Sequence, residues 1–193
     1  MPKTKSSTGK KVNFLIIPEQ DGSGVTPEAY KLLKEVRDKD HGDTKAARVA
    51  LAWQLRMKPD KDGRLELGRC VKVSDLYREY ADYDFIITLN KEVWEDSRFT
   101  REKKLALVDH EMCHTSPVYD DETGEHKTDE RGRYLFRTRK HSIEEFHEIV
   151  KRHGCYKADL EAFAQIILEK KKTASLFPVA APPPQQDASA TIQ

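Results

Sequence analysis

The chain has 193 residues, of which 37% are hydrophobic, so it is long enough for one globular unit with its own core and short for two. Its 34 Lys and Arg balance 33 Asp and Glu, and a net charge of +1 supplies no field that would hold a polyanion, so we do not expect a nucleic-acid partner. No apolar run reaches the roughly 20 residues of a membrane span, and the basic start lacks a signal-peptide core, which predicts a soluble, cytoplasmic protein with no membrane partner.

Both ends of the chain have the composition of disordered segments. Residues 1–11 are mostly Lys, Ser, Thr and Gly, and residues 171–193 form a tail rich in Pro, Ala and Gln. We therefore predict one folded domain over residues 12–170. The three cysteines are widely spaced without a CxxC pair, which favours reduced thiols that pack in the core.

The first half of the domain shows alternating strand and helix signals. The run VNFLIIP predicts a short strand, and TPEAYKLLKEVRDKD predicts a helix with Thr26 as N-cap. Three further strands are expected in RVALAWQLRM, ELGRCVKVS and YDFIITLN, with a helical turn over residues 75–80.

The segment from Thr100 to Thr115 predicts a helix that carries an H-E-x-x-H motif. At about 100° per residue, Leu105, Val108 and Met112 share one stripe, while His110 and His114 lie one turn apart on another side. Ala106 and Leu107 make that other side apolar one turn earlier, so we expect a helix buried on both sides with its imidazoles in a cleft.

The motif has the residue types that zinc-dependent hydrolysis needs. Neutral imidazoles of His110 and His114 are zinc ligands, and Glu111 projects where it can take a proton from water as that water attacks a carbonyl. The competing interpretation is an ordinary polar helix face with two histidines and a glutamate in solvent.

A third zinc ligand must come from another element, and the sequence offers several candidates. Two turn signals and an alternating run follow the motif, and they predict extended segments that lead to a second helix from His141 to about Arg152. We prefer His141 as ligand, with Glu145 as its hydrogen-bonding partner or as the alternative third ligand. Glu144 and Glu161 come next, and an exposed His141 without a metal remains the alternative. His41 has no companion in its loop and is assigned no role.

The order of these motifs resembles the putative phage metallopeptidases, small zincin-like domains encoded by bacteriophages and prophages. The matching pieces lie between residues 48 and 165 and are RVALAWQL, LGRCVKVSDL, YDFIITLNKEVW, ALVDHEMCH, RKHSIEEFHEIVKRHG and DLEAFAQ. The resemblance implies that His110 and His114 bind a metal and that Glu111 is the catalytic base, with His141 and the pair Glu144 and Glu145 as further candidates. The chain is also similar to SprT-type and minigluzincin-type domains, in which an edge strand before the motif helix can bind a substrate backbone, and YDFIITLN would be that strand.

Together these observations predict an α+β, zincin-like fold with a small mixed or antiparallel sheet packed on the motif helix and on the second helix. The expected function is zinc-dependent hydrolysis of peptide bonds in peptides or proteins, by a phage-encoded enzyme in the host cytoplasm. The alternative is a catalytically idle zincin-fold module that captures a host protein.

Overall fold

The computed structural model describes residues 13–175 of the chain, and side chains as far as residue 172. Two compact units divide between Lys140 and His141. The strands of the first unit are β1 (Phe14–Ile17), β2 (Val49–Gln54), β3 (Gly68–Lys72), β4 (Phe85–Asn90), β5 (Thr115–Pro117) and β6 (Phe136–Thr138). Its helices are α1 (Glu28–Asp40), α2 (Asp75–Ala81), α3 (Lys91–Glu95) and α4 (Arg101–Cys113), and the second unit carries α5 (His147–His153) and α6 (Ala158–Ser175).

Four strands form one mixed sheet in the order β1-β2-β4-β3. The outer pairs are antiparallel, whereas β2 and β4 run parallel with Leu51 opposite Ile87. This mixed sheet, with its helices, confirms the predicted α+β class. The prediction that YDFIITLN is an edge strand is wrong, because this segment forms β4 in the interior of the sheet. The neighbouring edge strand is β3.

The core lies on one face of this sheet, between the strands and two helices. Phe85, Ile87 and Leu89 alternate along β4 and are fully buried, while Ile86 points to the other face and is partly exposed. The apolar positions of α1 repeat at helical spacing, and the buried set is Ala29, Leu32, Leu33 and Val36. This pattern packs α1 beside α4, which buries Val108 and Met112 completely.

The start of α4 agrees with the prediction, whereas the start of α1 differs from it. Thr100 is the N-cap of α4 as predicted, although its side chain makes no capping hydrogen bond to the backbone. Pro27, not Thr26, is the N-cap of α1, because Pro27 itself has extended backbone angles and helical geometry begins at Glu28. Within the described residues, no helix is both long enough and apolar enough to cross a membrane.

The second unit differs from prediction in where its first helix begins. We expected a helix from His141, but residues 141–146 are not helical and α5 begins at His147. The Glu145 carboxylate accepts a hydrogen bond from the Phe146 N–H and pairs with Lys157 at 2.6 Å. Phe146, the N-cap of α5, has extended backbone angles. The later helix α6 continues to Ser175, past the predicted end of the domain. Residues 1–12 and 176–193, which include most of the expected disorder, lie outside the described residues.

Candidate metal centre

The H-E-x-x-H motif occupies the C-terminal end of α4, where His110 and His114 lie one turn apart. Their ring centroids are 5.3 Å apart, so both imidazoles project to the same side of the helix. His110 and Ala106 are exposed and His114 is half-buried. The expected cleft is therefore wrong for this side of α4, which is open, and water or a large substrate can reach the pair.

The tautomer of His114 is set by the backbone that follows the β5–β6 hairpin. Its Nδ1 lies 2.7 Å from the carbonyl oxygen of Arg139, and the Arg139 N–H in turn donates to the His114 carbonyl at 2.8 Å. A carbonyl oxygen can only accept, so Nδ1 carries a proton, and in the neutral ring Nε2 is the nitrogen with the free lone pair. This is the arrangement that orients a metal-binding histidine.

Glu111, between the two motif histidines in sequence, is only 3% exposed. Its carboxylate lies against β3, where it accepts a hydrogen bond from the Cys70 backbone N–H. Burial raises the pKa of Glu111 above its ordinary value, and this effect exceeds the opposing influence of His114. A carboxylate held this way is a stronger base than one in solvent.

Gly68, at the start of β3, makes the close approach of Glu111 possible. A Cβ at this position would stand 2.9 Å from Glu111 Oε1, closer than such atoms pack. Our sequence analysis missed Gly68 as part of the site, although a glycine inside a strand often marks a place where another group approaches the backbone. The same burial raises the pKa of the Cys70 thiol to about 12, helped by the Glu111 charge, so Cys70 is an inert neighbour.

The remaining sequence-predicted candidates lie in the second unit. His141, Glu144 and Glu161 are exposed. Glu145 is engaged inside this unit, because its carboxylate accepts hydrogen bonds from Tyr156 and Lys157. These contacts, with Lys157 first, lower the pKa of Glu145 to about 2. His141 and Glu145 do not lie one helical turn apart as expected, since neither residue is helical.

The donor set on α4 fits zinc better than a hard cation. Two imidazoles on one helix turn are ligands that Zn²⁺ prefers, whereas Mg²⁺ and Ca²⁺ need a shell of oxygens. A small α+β domain whose sheet packs on an H-E-x-x-H helix is a zincin-like fold.

The chain belongs to the family described as putative phage metallopeptidase, whose model matches residues 24–167. The match runs from just before α1 into α6 and includes the whole of α4. The family description places the protein among candidate metal-dependent hydrolases that act on peptides or proteins. No curated protein and no solved structure matches the chain.

Proposed function

We propose that the protein is a zinc-dependent peptidase, encoded by a phage and active in the host cytoplasm. The observation that carries this proposal is the buried carboxylate of Glu111 beside two histidines that share an open helix side. An ordinary solvated helix face would not bury the one acidic residue of the motif against a strand. Family membership supports the same reaction class.

We assign the zinc ligands to His110, His114 and His141. Chain connectivity favours His141 as the third ligand, because it follows Arg139 by two residues and the Arg139 carbonyl contacts His114. Two residues span at most about 7 Å, so the chain returns to the motif just before His141. Glu145 is the weaker candidate, since binding a metal would cost it the ion pair with Lys157.

Zinc, when bound, would acidify water to a pKa of about 7 and polarise the scissile carbonyl. Glu111 takes the proton from the attacking water, because its raised pKa makes it a competent base, and then gives this proton to the leaving amine. Arg139 keeps His114 in one tautomer through its carbonyl. The edge of β3, next to Glu111, is where we place the substrate backbone, which would add to the sheet as a further strand.

The test compares zinc content and cleavage in the full chain and in three variants. We expect about one zinc per chain at this site, its loss in His110→Ala with His114→Ala, and new protein termini in host lysate treated with the wild type. Glu111→Gln should keep zinc and fold but lose cleavage, because an amide cannot take the proton. Glu102→Gln, on the first turn of the same helix, is the matched control and should cleave normally.

Two results would contradict the proposal. A zinc content that does not fall when both histidines are changed would place the metal elsewhere. Cleavage that survives in Glu111→Gln would remove Glu111 as the base. A wild type that holds zinc and captures a host protein without cutting it would support the alternative, a catalytically idle binding module.

A further inference from the structure

A second group of possible metal ligands lies on a different side of α4, around the buried side chain of His41. His41 follows the last residue of α1 and is 8% exposed. Its Nε2 lies 2.7 Å from Oδ1 of Asp109, one residue before the motif. The contact is partly buried, and the peptidase mechanism uses neither residue.

Cys113 completes the group from the next turn of the same helix. Asp109 and Cys113 are four residues apart and therefore project to the same side of α4, next to the side that carries the two motif histidines. One ligand atom from each of His41, Asp109 and Cys113 lies within 4.8 Å of the other two. Imidazole nitrogen, carboxylate oxygen and thiolate sulfur are the three ligand types that zinc accepts in proteins.

The spacing is close to that of a zinc site and needs only small adjustments. Zinc binds these atoms at about 2.0 to 2.3 Å in a tetrahedral arrangement, so two ligand atoms on one ion stand about 3.4 to 3.6 Å apart. The His41–Asp109 contact of 2.7 Å must then open by less than about 1 Å. The wider separations, up to 4.8 Å, must close by a little more than about 1 Å. Rotations of Asp109 and Cys113 can supply this, because both side chains are only partly buried.

Buried hydroxyl groups hold the two elements that carry these ligands. Thr44 is fully buried, and its N–H and Oγ1 both donate to the His41 carbonyl. Thr115 donates from Oγ1 to the Met112 carbonyl at 2.7 Å, and its Oγ1 lies 3.4 Å from that of Thr44. The turn after α1 thus contacts the end of α4 before a metal binds, so only the ligand side chains have to adjust.

The charges around Cys113 are mixed. Burial raises the pKa of its thiol, Asp109 and Asp40 act in the same direction, and Arg139 opposes them through its charge and a hydrogen bond. The two carboxylates attract a divalent cation to this point, whereas the Arg139 guanidinium competes with it for the sulfur.

We propose that His41, Asp109 and Cys113 form a second divalent metal site, suited to Zn²⁺ and separate from the motif histidines. Binding replaces the thiol proton of Cys113 by a metal–sulfur bond and releases that proton to solvent, with no change of oxidation state. The ion fastens the end of α1 to the motif helix and is structural. The proposal does not depend on peptidase activity.

Cobalt(II) is a suitable probe, because a thiolate ligand gives a charge-transfer absorption that imidazole and carboxylate ligands do not. The full chain is stripped of metal, titrated with Co²⁺ and followed by absorption and by metal content. We expect two ions per chain and a thiolate band in the wild type. Cys113→Ser should lose the band and one ion, while Cys70→Ser and Cys155→Ser, the matched controls, keep both.

Further variants separate this site from the motif. A double change of His110 and His114 to Ala should keep the thiolate band, and Asp109→Asn should weaken the affinity behind that band by more than about 10-fold. Circular dichroism of each metal-free variant shows whether it is folded. A wild type without a thiolate band, a band that persists in Cys113→Ser, or a band that disappears with the motif histidines would each overturn the proposal.

Discussion

Replacing Gly68 by alanine tests how closely Glu111 must lie against β3. The new Cβ would stand 2.9 Å from Glu111 Oε1, 3.2 Å from Cγ and 3.3 Å from Cδ. Gly68 does not have a positive φ, so alanine fits the backbone and the only conflict is with this carboxylate. Restoring ordinary contact at about 3.4 Å moves Oε1 by about 0.5 Å.

This displacement should reduce turnover more than stability. A misplacement of about 1 Å can cost about 100-fold in rate, so half of that predicts a loss of about 10-fold in kcat. Crowding costs about 1 to 3 kcal/mol in the folded state, while alanine in place of glycine recovers about 0.4 to 1 kcal/mol through the unfolded chain. We therefore expect a modest drop in the free energy of unfolding and no loss of zinc.

The assay measures kcat on a quenched peptide pool, with zinc content and melting temperature determined on the same samples. Gly22→Ala is the matched control, because a Cβ there meets nothing within 4 Å and Gly22 also lacks a positive φ. It should leave all three quantities unchanged. Full turnover in Gly68→Ala at unchanged zinc content would refute the idea that the position of Glu111 against β3 sets the rate.

Two further predictions concern carboxylates. The pKa of Glu111 is raised in the folded chain, so the folded state binds more protons than the unfolded state above about pH 4, and the free energy of unfolding falls as pH rises through the folded pKa. Glu111→Gln should therefore raise the melting temperature of the metal-free protein at pH 7 but not at pH 3. The pKa of Glu102 is lowered, mainly by a hydrogen bond with Thr100, so Glu102→Gln should lower the melting temperature at pH 7. Equal shifts for the two variants would contradict this reasoning. His141→Ala should weaken zinc binding in a competition assay, whereas Glu145→Gln should leave the affinity nearly unchanged and lower stability by removing the partner of Lys157. The reverse order would make Glu145 the ligand.

The local parts of the fold were predictable because their signals are local. Alternation along the strands and the spacing of Leu105, Val108 and Met112 gave the strands and the motif helix within a few residues. The place of β4 in the sheet was not readable from its apolar run FIITL, because an edge or interior position depends on which other strands pair with it. We assigned it to the edge on the resemblance alone.

The contacts that complete both candidate sites join residues far apart in the chain. His41 and Asp109 are 68 residues apart, and no periodicity links them. The Glu145 carboxylate, which precedes α5 in the chain, binds Tyr156 and Lys157, which follow it. The start of α5 depends on these contacts. The apolar pattern after His141 favoured that residue as a start, but α5 begins at His147.

At the end of α4, each side of the helix has a different role. Val108 and Met112 fill the core, Glu111 lies against β3, and the two motif histidines occupy the open side. A rotation of the helix by one residue, about 100°, would bury a histidine and expose Glu111. The packing of Val108 and Met112 therefore fixes the register of the metal centre, and a smaller residue at either position should perturb the site through the helix that carries it.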